Sequence, residues 1–540
     1  MRHIIPDTLT PCRAILASTL AALLLLATLP APATAQVTAR KQAIAEAASD
    51  DDAIAAYYRQ NDYAPIWTGA DDDARARRVA LISALRSASL HGLPAARYDP
   101  DGLIAKMAAA RTTRDLGFLD VDLSRAFLAY ARDIQSGVVV PSSIDSGMVR
   151  VVKYRDRTET LAGLVAATPA AYIAGLAPQS REYRALLREK MRLEKLVANG
   201  GWGRKVPAGA LKPGQSGNAV VALRDRLTEM GFLGRSAARS YDVAIQKAVL
   251  KFQESHGLEA DGIADAATIK EINVSAEARL KAVIVALERE RWLNGYGGDR
   301  QIKVNLADFT ATIVDFGEIT FQTRAVVGKS TSDRRTPEFS DEMEHMVINP
   351  SWYVPRSIIV KEYLPKLRAN PGAVSHLEIT DSRGRRVNRS TADFSQYSAR
   401  SFPYAMRQPP GPRNALGKVK FMFPNKYNIY LHDTPAKNLF AREVRAYSHG
   451  CIRLARPFDF AYAILSRQSD DPEALFQGIL KSGKETKLML DQPIPVHLIY
   501  RTAFTTITGD IEFRRDVYGR DAKIWSALSQ AGVALNAVRG

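Results

Sequence analysis

Apolar residues recur with helical spacing through the first part of the chain and with strand-like alternation through the last. Leu123, Phe127, Tyr130 and Ile134 fall at i, i+4, i+7 and i+11, one face of an amphipathic helix that Gly137 stops. Tyr183, Leu186, Leu187 and the run 193–197 predict another. This Ala-rich stretch, 39–204, has a single histidine, His91, in the helix-to-turn segment Leu90-His91-Gly92-Leu93-Pro94, where a structural role is the simplest reading. We read 39–204 as a helical scaffold domain without chemistry of its own.

Gly200-Gly201-Trp202-Gly203 and the run 207–217 mark a linker. Beyond it Val220, Leu223, Leu227 and Met230 form one helical stripe, and Ile245, Ala248, Val249 and Phe252 a second. Gly257 closes the second helix, Asp261-Gly262 turns the chain, and a short third helix is expected over 265–272. A three-helix unit this small, 211–274, is near the lower limit for a self-standing core, so binding suits it better than catalysis. A charged helix, 276–293, then leads into a domain of alternating and β-branched residues, 300–500. Strands are expected at 302–304, 310–314, 320–327 and 421–431. The region 351–412 has a different texture, helical over 361–368 and ending in Gln408-Pro409-Pro410-Gly411-Pro412, and reads as an inserted lid. Residues 501–540 form a C-terminal extension. The fold class is multidomain α+β: helical scaffold, three-helix module, and a mostly β domain carrying a lid.

The N-terminus changes the compartment. Arg2 and Arg13 precede an apolar run, 14–29, and Ala33-Thr34-Ala35 supplies the small-x-small pattern of a signal peptide cleaved after Ala35, with 1–35 removed. A retained membrane anchor is the rival reading, but the run is short and Pro30 and Pro32 break its end. An exported, periplasmic protein is expected. Cys12 leaves with the signal, and Cys451 remains as the sole thiol. With 540 residues, 46% hydrophobic and 24% charged, the chain can bury several cores. Its net charge of +17 favours anionic partners, which after export means lipid headgroups, wall polymers or carboxylate-rich peptides rather than nucleic acid.

An unpaired thiol in an oxidising compartment needs a reason, and its neighbours supply one. Ser448-His449-Gly450-Cys451 and His432 bring together a nucleophile, two candidate bases and a glycine that lets backbone amides approach one oxygen. His432 ends a strand and can be aimed independently of Cys451, so it is preferred over His449 as the base. Pro457 opens a helix just beyond. Three other readings compete: an inert core cysteine; a zinc site of His432, His449 and Cys451, which lacks a fourth ligand in any recognisable spacing; and a purely structural His449 that orients the loop, which is compatible with catalysis. No metal or cofactor is expected. His256, His345, His376 and His497 read as satisfied structural or surface residues.

Two resemblances extend this reading. The segment 217–273, through Gly217, Leu223, Gly231-Phe232-Leu233, Tyr241-Asp242, Phe252-Gln253, Gly257-Leu258, Asp261-Gly262 and Ile272-Asn273, resembles the peptidoglycan-binding domain family. Ser448-His449-Gly450-Cys451-Ile452-Arg453, preceded by His432-Asp433-Thr434, resembles the active-site signature of the L,D-transpeptidase (YkuD) family. Asn349-Pro350-Ser351-Trp352-Tyr353 and Tyr430-Leu431-His432 are similar to its large periplasmic, YcbB-like branch. The resemblance implies that Cys451 attacks the amide before the terminal D-Ala of a tetrapeptide stem, releases D-Ala and forms a thioester. A second stem's diaminopimelate amine then resolves it to a 3-3 cross-link in peptidoglycan biosynthesis. It implies His432 as base, an oxyanion hole of amides near His449, Gly450 and Cys451, and carbapenem β-lactams as inhibitors. Ser448, Arg453, Trp352 and Tyr430 are candidate substrate-binding residues; Arg453 stands where the family usually has Asn. Water as acceptor would make an L,D-carboxypeptidase, a lipoprotein amine a protein-to-wall linker, and a silent catalytic domain a wall-binding scaffold. Association with other wall-synthesis proteins is a further expectation.

Overall fold

The computed structural model describes residues 38–506 and 508–535. The predicted signal segment and Cys12 lie outside the described residues, and no described helix is long and apolar enough to cross a membrane. The chain divides into two compact units.

The smaller unit takes in described residues up to Arg77 and then 101–125. Its centre is a fully buried carboxylate, Asp120, which accepts from the amides of Ile66, Trp67 and Thr68 and from the Tyr58 hydroxyl. A buried charge is tolerable only when its lone pairs are filled in this way.

In the larger unit, three helices, Asn218–Glu229, Val243–Ser255 and Ala266–Ile272, close on a core of Val220, Leu223, Ile245, Phe252 and Ile272, following the predicted stripes. The charged helix expected over 276–293 spans Ala276–Trp292. Its charges do not form a solvated face: Glu288, Arg289, Glu290 and Arg291 are all buried. Arg291 pairs with Glu288 at 2.9 Å and Arg289 with Glu338 at 2.6 Å, because helix Arg181–Ala198 and the C-terminal segment pack around it.

The C-terminal sheet is built from β1 (Arg300–Asn305), β2 (Thr310–Asp315), β3 (Glu318–Gly328) and β4 (Phe339–Ile348). To these it adds β8 (Val419–Met422), β9 (Leu431–His432), β10 (Ala446–Ser448), β11 (Ile452–Leu454) and β12 (Thr486–Ile499). Its order is β10-β3-β11-β9-β8-β4-β12-β1-β2, and a further β2–β3 pairing closes it on itself around one apolar core. The predicted strand 421–431 is interrupted. Pro424 lacks a ladder donor and Asn428 takes φ 53°, while the Asn425 side chain holds the turn by accepting from Tyr427 and Ile429 and donating to the Phe423 and Ile429 carbonyls. The strand therefore splits into β8 and the two-residue β9.

The insertion folds as a body with its own core, Trp352, Ile359, Leu364, Leu367, Ile379, Phe394 and Leu416 among its members, beneath a small sheet of β5 (Trp352–Tyr353), β6 (Glu378–Thr380) and β7 (Ala405–Gln408). Its helical stretch begins before residue 361, with a widened i→i+5 turn at Ile359–Tyr363 leading into helix Leu364–Ala369. Such turns re-aim side chains, and here the turn carries Glu362. The C-terminal segment is no loose extension. Tyr518 and Arg520 are buried, the Tyr518 hydroxyl donates to the Gly328 carbonyl at 2.6 Å, and Arg520 donates to the Thr336 carbonyl at 3.0 Å.

Candidate active site

Register on two adjacent short strands assembles the site. β11 runs parallel to β9 with Ile452 opposite Leu431 and Arg453 opposite His432, and the Ile452 amide donates to the Tyr430 carbonyl. Side chains alternate along a strand, so Leu431, Ile452 and Leu454 enter the core while Tyr430, His432, Cys451 and Arg453 share the other face. All four line one cleft of about 930 Å³. Trp352, His449 and Ser448 line it as well, Trp352 from the lid.

The loop before Cys451 is braced from behind. Gly450 has φ 123°, and a Cβ there would meet Ile429 at 3.1 Å, so glycine is required. The Thr336 hydroxyl donates to the Gly450 carbonyl at 2.7 Å and accepts from the Gly328 amide at 2.9 Å. The Ser448 hydroxyl donates to the Cys451 carbonyl and accepts from the Gly450 amide at 3.0 Å. Ser448 thus holds the loop instead of facing a ligand with a free hydroxyl. The Gly450 amide, expected to serve an oxyanion, is committed inside the loop.

The thiol sits at the dense floor of the cleft yet keeps a partial opening to solvent, and it donates to the Asn428 carbonyl at 3.4 Å. Burial pushes it up to about 11, against the amide and hydroxyl of Tyr430 and the charge of Arg453, which favour the thiolate. Burial, with Arg453 beside it, pushes His432 down to about 3. The free site therefore holds a neutral thiol and a neutral imidazole. His432 Nδ1 is hydrogen-bonded to the Asp433 carbonyl, so this nitrogen carries the proton, and the Leu416 carbonyl is a further acceptor beside the ring. His449 is placed otherwise: its Nε2 donates to Glu362 of the lid at 2.6 Å, and Arg334 donates to the same oxygen at 2.7 Å. Burial raises the Glu362 carboxyl, but the His449 hydrogen bond and the two neighbouring cations outweigh it and hold it below its usual range.

Three contributors escaped the sequence reading. Glu362 and Arg413 come from the insertion, and no local spacing marks them. His376, read as structural or surface, lines the cleft. Lys361 is paired with Asp333 at 2.9 Å, whereas Arg413 and Arg453 enter no ion pair among the described residues, and Arg453 Nε is buried without a partner. These two guanidiniums without a carboxylate partner are the cleft's candidate contacts for an anionic group.

Residues 299–483 match the family described as the L,D-transpeptidase catalytic domain (YkuD), 216–272 the "Putative peptidoglycan binding domain" and 52–189 the scaffold domain. The chain therefore carries a YkuD-type L,D-transpeptidase catalytic domain together with a peptidoglycan-binding-type domain and a scaffold domain. Over 225 residues it is 34% identical to a Haemophilus influenzae protein named "Putative L,D-transpeptidase", a match covering 41% of this chain and 45% of that protein. The chain thus spans under half the length of this curated relative. Among solved structures, the L,D-transpeptidase of Stackebrandtia nassauensis is 15% identical, covering 54% of this chain and 96% of its own, with a TM-score of 0.21. That of Xylanimonas cellulosilytica is 15% identical, covering 55% and 100%, with a TM-score of 0.17.

Proposed function

We propose that the chain is an exported, periplasmic L,D-transpeptidase of the YcbB-like branch that forms 3-3 cross-links between tetrapeptide stems of peptidoglycan. The observation that carries this reading is the common face of Cys451, His432, Tyr430 and Arg453 in one cleft. A donor stem enters with a carboxylate on Arg453 or Arg413, displacing water and aligning its penultimate carbonyl over the thiol. His432 Nε2 takes the thiol proton as sulfur attacks, and Tyr430 stabilises the charge on sulfur. Because the resting pair is neutral, proton transfer accompanies attack instead of preceding it. The amides of His449 and Cys451 receive the oxyanion. The carbon–nitrogen bond then breaks, D-Ala leaves with the proton from His432, and a thioester remains. An acceptor amine attacks that thioester, sulfur leaves, and the amide cross-link forms.

The test is to incubate the purified chain with disaccharide-tetrapeptide and weigh the products. A dimer lighter than two substrates by one D-Ala is expected, lost in Cys451→Ala; a tripeptide without dimer would make the enzyme a carboxypeptidase, and unchanged substrate would overturn the reading. A carbapenem should add its mass once per chain, on Cys451.

A further inference from the structure

A second cavity, of about 460 Å³, opens where residues 256–260 of the three-helix domain face the catalytic sheet. Five guanidinium groups line it, from Arg324, Arg442, Arg445, Arg514 and Arg515. Three carboxylates share the space. Asp308 is held by Arg514 and Glu443 by Arg515 at 2.6 Å, while Glu259 is exposed. Glu512 at 2.6 Å from Arg514 and Glu271 at 3.7 Å from Arg515 complete the pairing of those two arginines, which leaves Arg324, Arg442 and Arg445 facing Glu259 alone. Arg324 and Arg442 are exposed and enter no ion pair among the described residues, and the one hydrogen bond of Arg324, to the Phe440 carbonyl, is long at 3.4 Å. Arg445 donates only to the carbonyls of Arg442, Asp308 and Phe309, and its Nε is buried without a partner. A cation withdrawn from water with no carboxylate on it is costly, and an anionic ligand would relieve that cost.

The cavity's position gives it a purpose. Arg445 leads directly into β10, which ends at Ser448 beside the nucleophile loop, so at about 3.3 Å per residue the two cavities are joined by roughly 10 Å of strand. β10 stands at the end of the sheet order, paired with β3 only, and Tyr447 at its middle is 38% exposed. An open strand edge accepts an extended peptide.

Building on the transpeptidase reading, we propose that this arginine-lined cavity is the acceptor subsite. It takes carboxylates of the second stem peptide, which runs along β10 and presents its side-chain amine to the thioester on Cys451. The amine nitrogen bonds to the acyl carbon, the carbon–sulfur bond breaks, and the departing thiolate recovers the proton the amine sheds.

A disaccharide-tripeptide ending in diaminopimelate separates the two sites, since it lacks the D-Ala a donor must lose. With tetrapeptide as donor, Arg324→Glu/Arg442→Glu should raise the KM for tripeptide at least tenfold and that for tetrapeptide donor less than threefold. Arg184→Glu/Arg188→Glu, both exposed and lining neither cavity, controls for net charge. An unchanged tripeptide KM, or equal losses on both sides, would overturn the subsite. D-Ala release measured before tripeptide is added tests the transpeptidase reading by itself. Should that arm fail, calorimetric titration of tripeptide into the Cys451→Ala chain still decides the site: tenfold weaker binding in the double variant supports it, and equal binding overturns it.

Discussion

At the scale of residues, the thiol's environment sets how the reaction begins. A thiol pushed up to about 11 is almost wholly protonated at neutral pH, so iodoacetamide alkylation of Cys451 should quicken about tenfold per pH unit from 7 to 10. Tyr430→Phe removes a group that favours the thiolate and should slow alkylation several-fold at pH 8. A rate already level near pH 7 would reveal a preformed thiolate and contradict the neutral pair. Cys451 and His432 stood out in the sequence as a lone thiol framed by Ser448, His449 and Gly450 with a second histidine upstream, and Tyr430 and Arg453 through the resemblance; that all four share one face follows from the pairing of Leu431–His432 with Ile452–Leu454. Glu362 and Arg413 were not legible, because only the tertiary fold of the insertion brings them to the cleft.

At the scale of elements, helices were easier to read than strands. The 3.6-residue period of Leu123 to Ile134 and of Tyr183 to Val197 survives in helices Thr113–Ser136 and Arg181–Ala198. Strand 421–431 failed at Pro424 and Asn428, where turn chemistry overrides a mostly aromatic and apolar composition, and the burial of the charges on helix Ala276–Trp292 was not readable, since partners such as Glu338 and Arg501 lie far away in sequence. The lid was legible as an insertion by texture, and its separate core supports treating it as a unit. Replacing 352–416 with a short Gly-Ser loop should lower tetrapeptide turnover more than tenfold, while iodoacetamide still reaches Cys451 at least as fast as before, since the Glu362 contact and the lid wall are gone. Unchanged turnover would assign the lid to another role.

At the scale of the whole molecule, buried neutral histidines make the fold sensitive to acid. His91, His256, His432 and His497 are all depressed by burial first, His497 to about 3. A group whose folded pKa lies below its unfolded value of about 6.5 contributes stability above that pH and loses it as pH falls toward the folded value. Between about pH 5.5 and 4 His497 should therefore contribute about 1.3 kcal/mol per pH unit to the acid slope of stability. His497 Nδ1 meets Ser340 Oγ at 2.8 Å, and His497→Gln keeps a polar partner there without the titration. Urea unfolding at pH 5.5, 4.75 and 4 should show a shallower slope in the variant; parallel lines would contradict this account. None of this was legible in sequence, because burial of a histidine depends on what packs over it.

The central claim is a covalent one, that Cys451 carries the acyl group. The most direct measurement is intact-mass and peptide mass spectrometry of the chain quenched in acid during turnover of disaccharide-tetrapeptide. An adduct of substrate less D-Ala is expected on the peptide holding Cys451 and absent from Cys451→Ala. Turnover with no adduct in the wild type and undiminished rate in Cys451→Ala would contradict it.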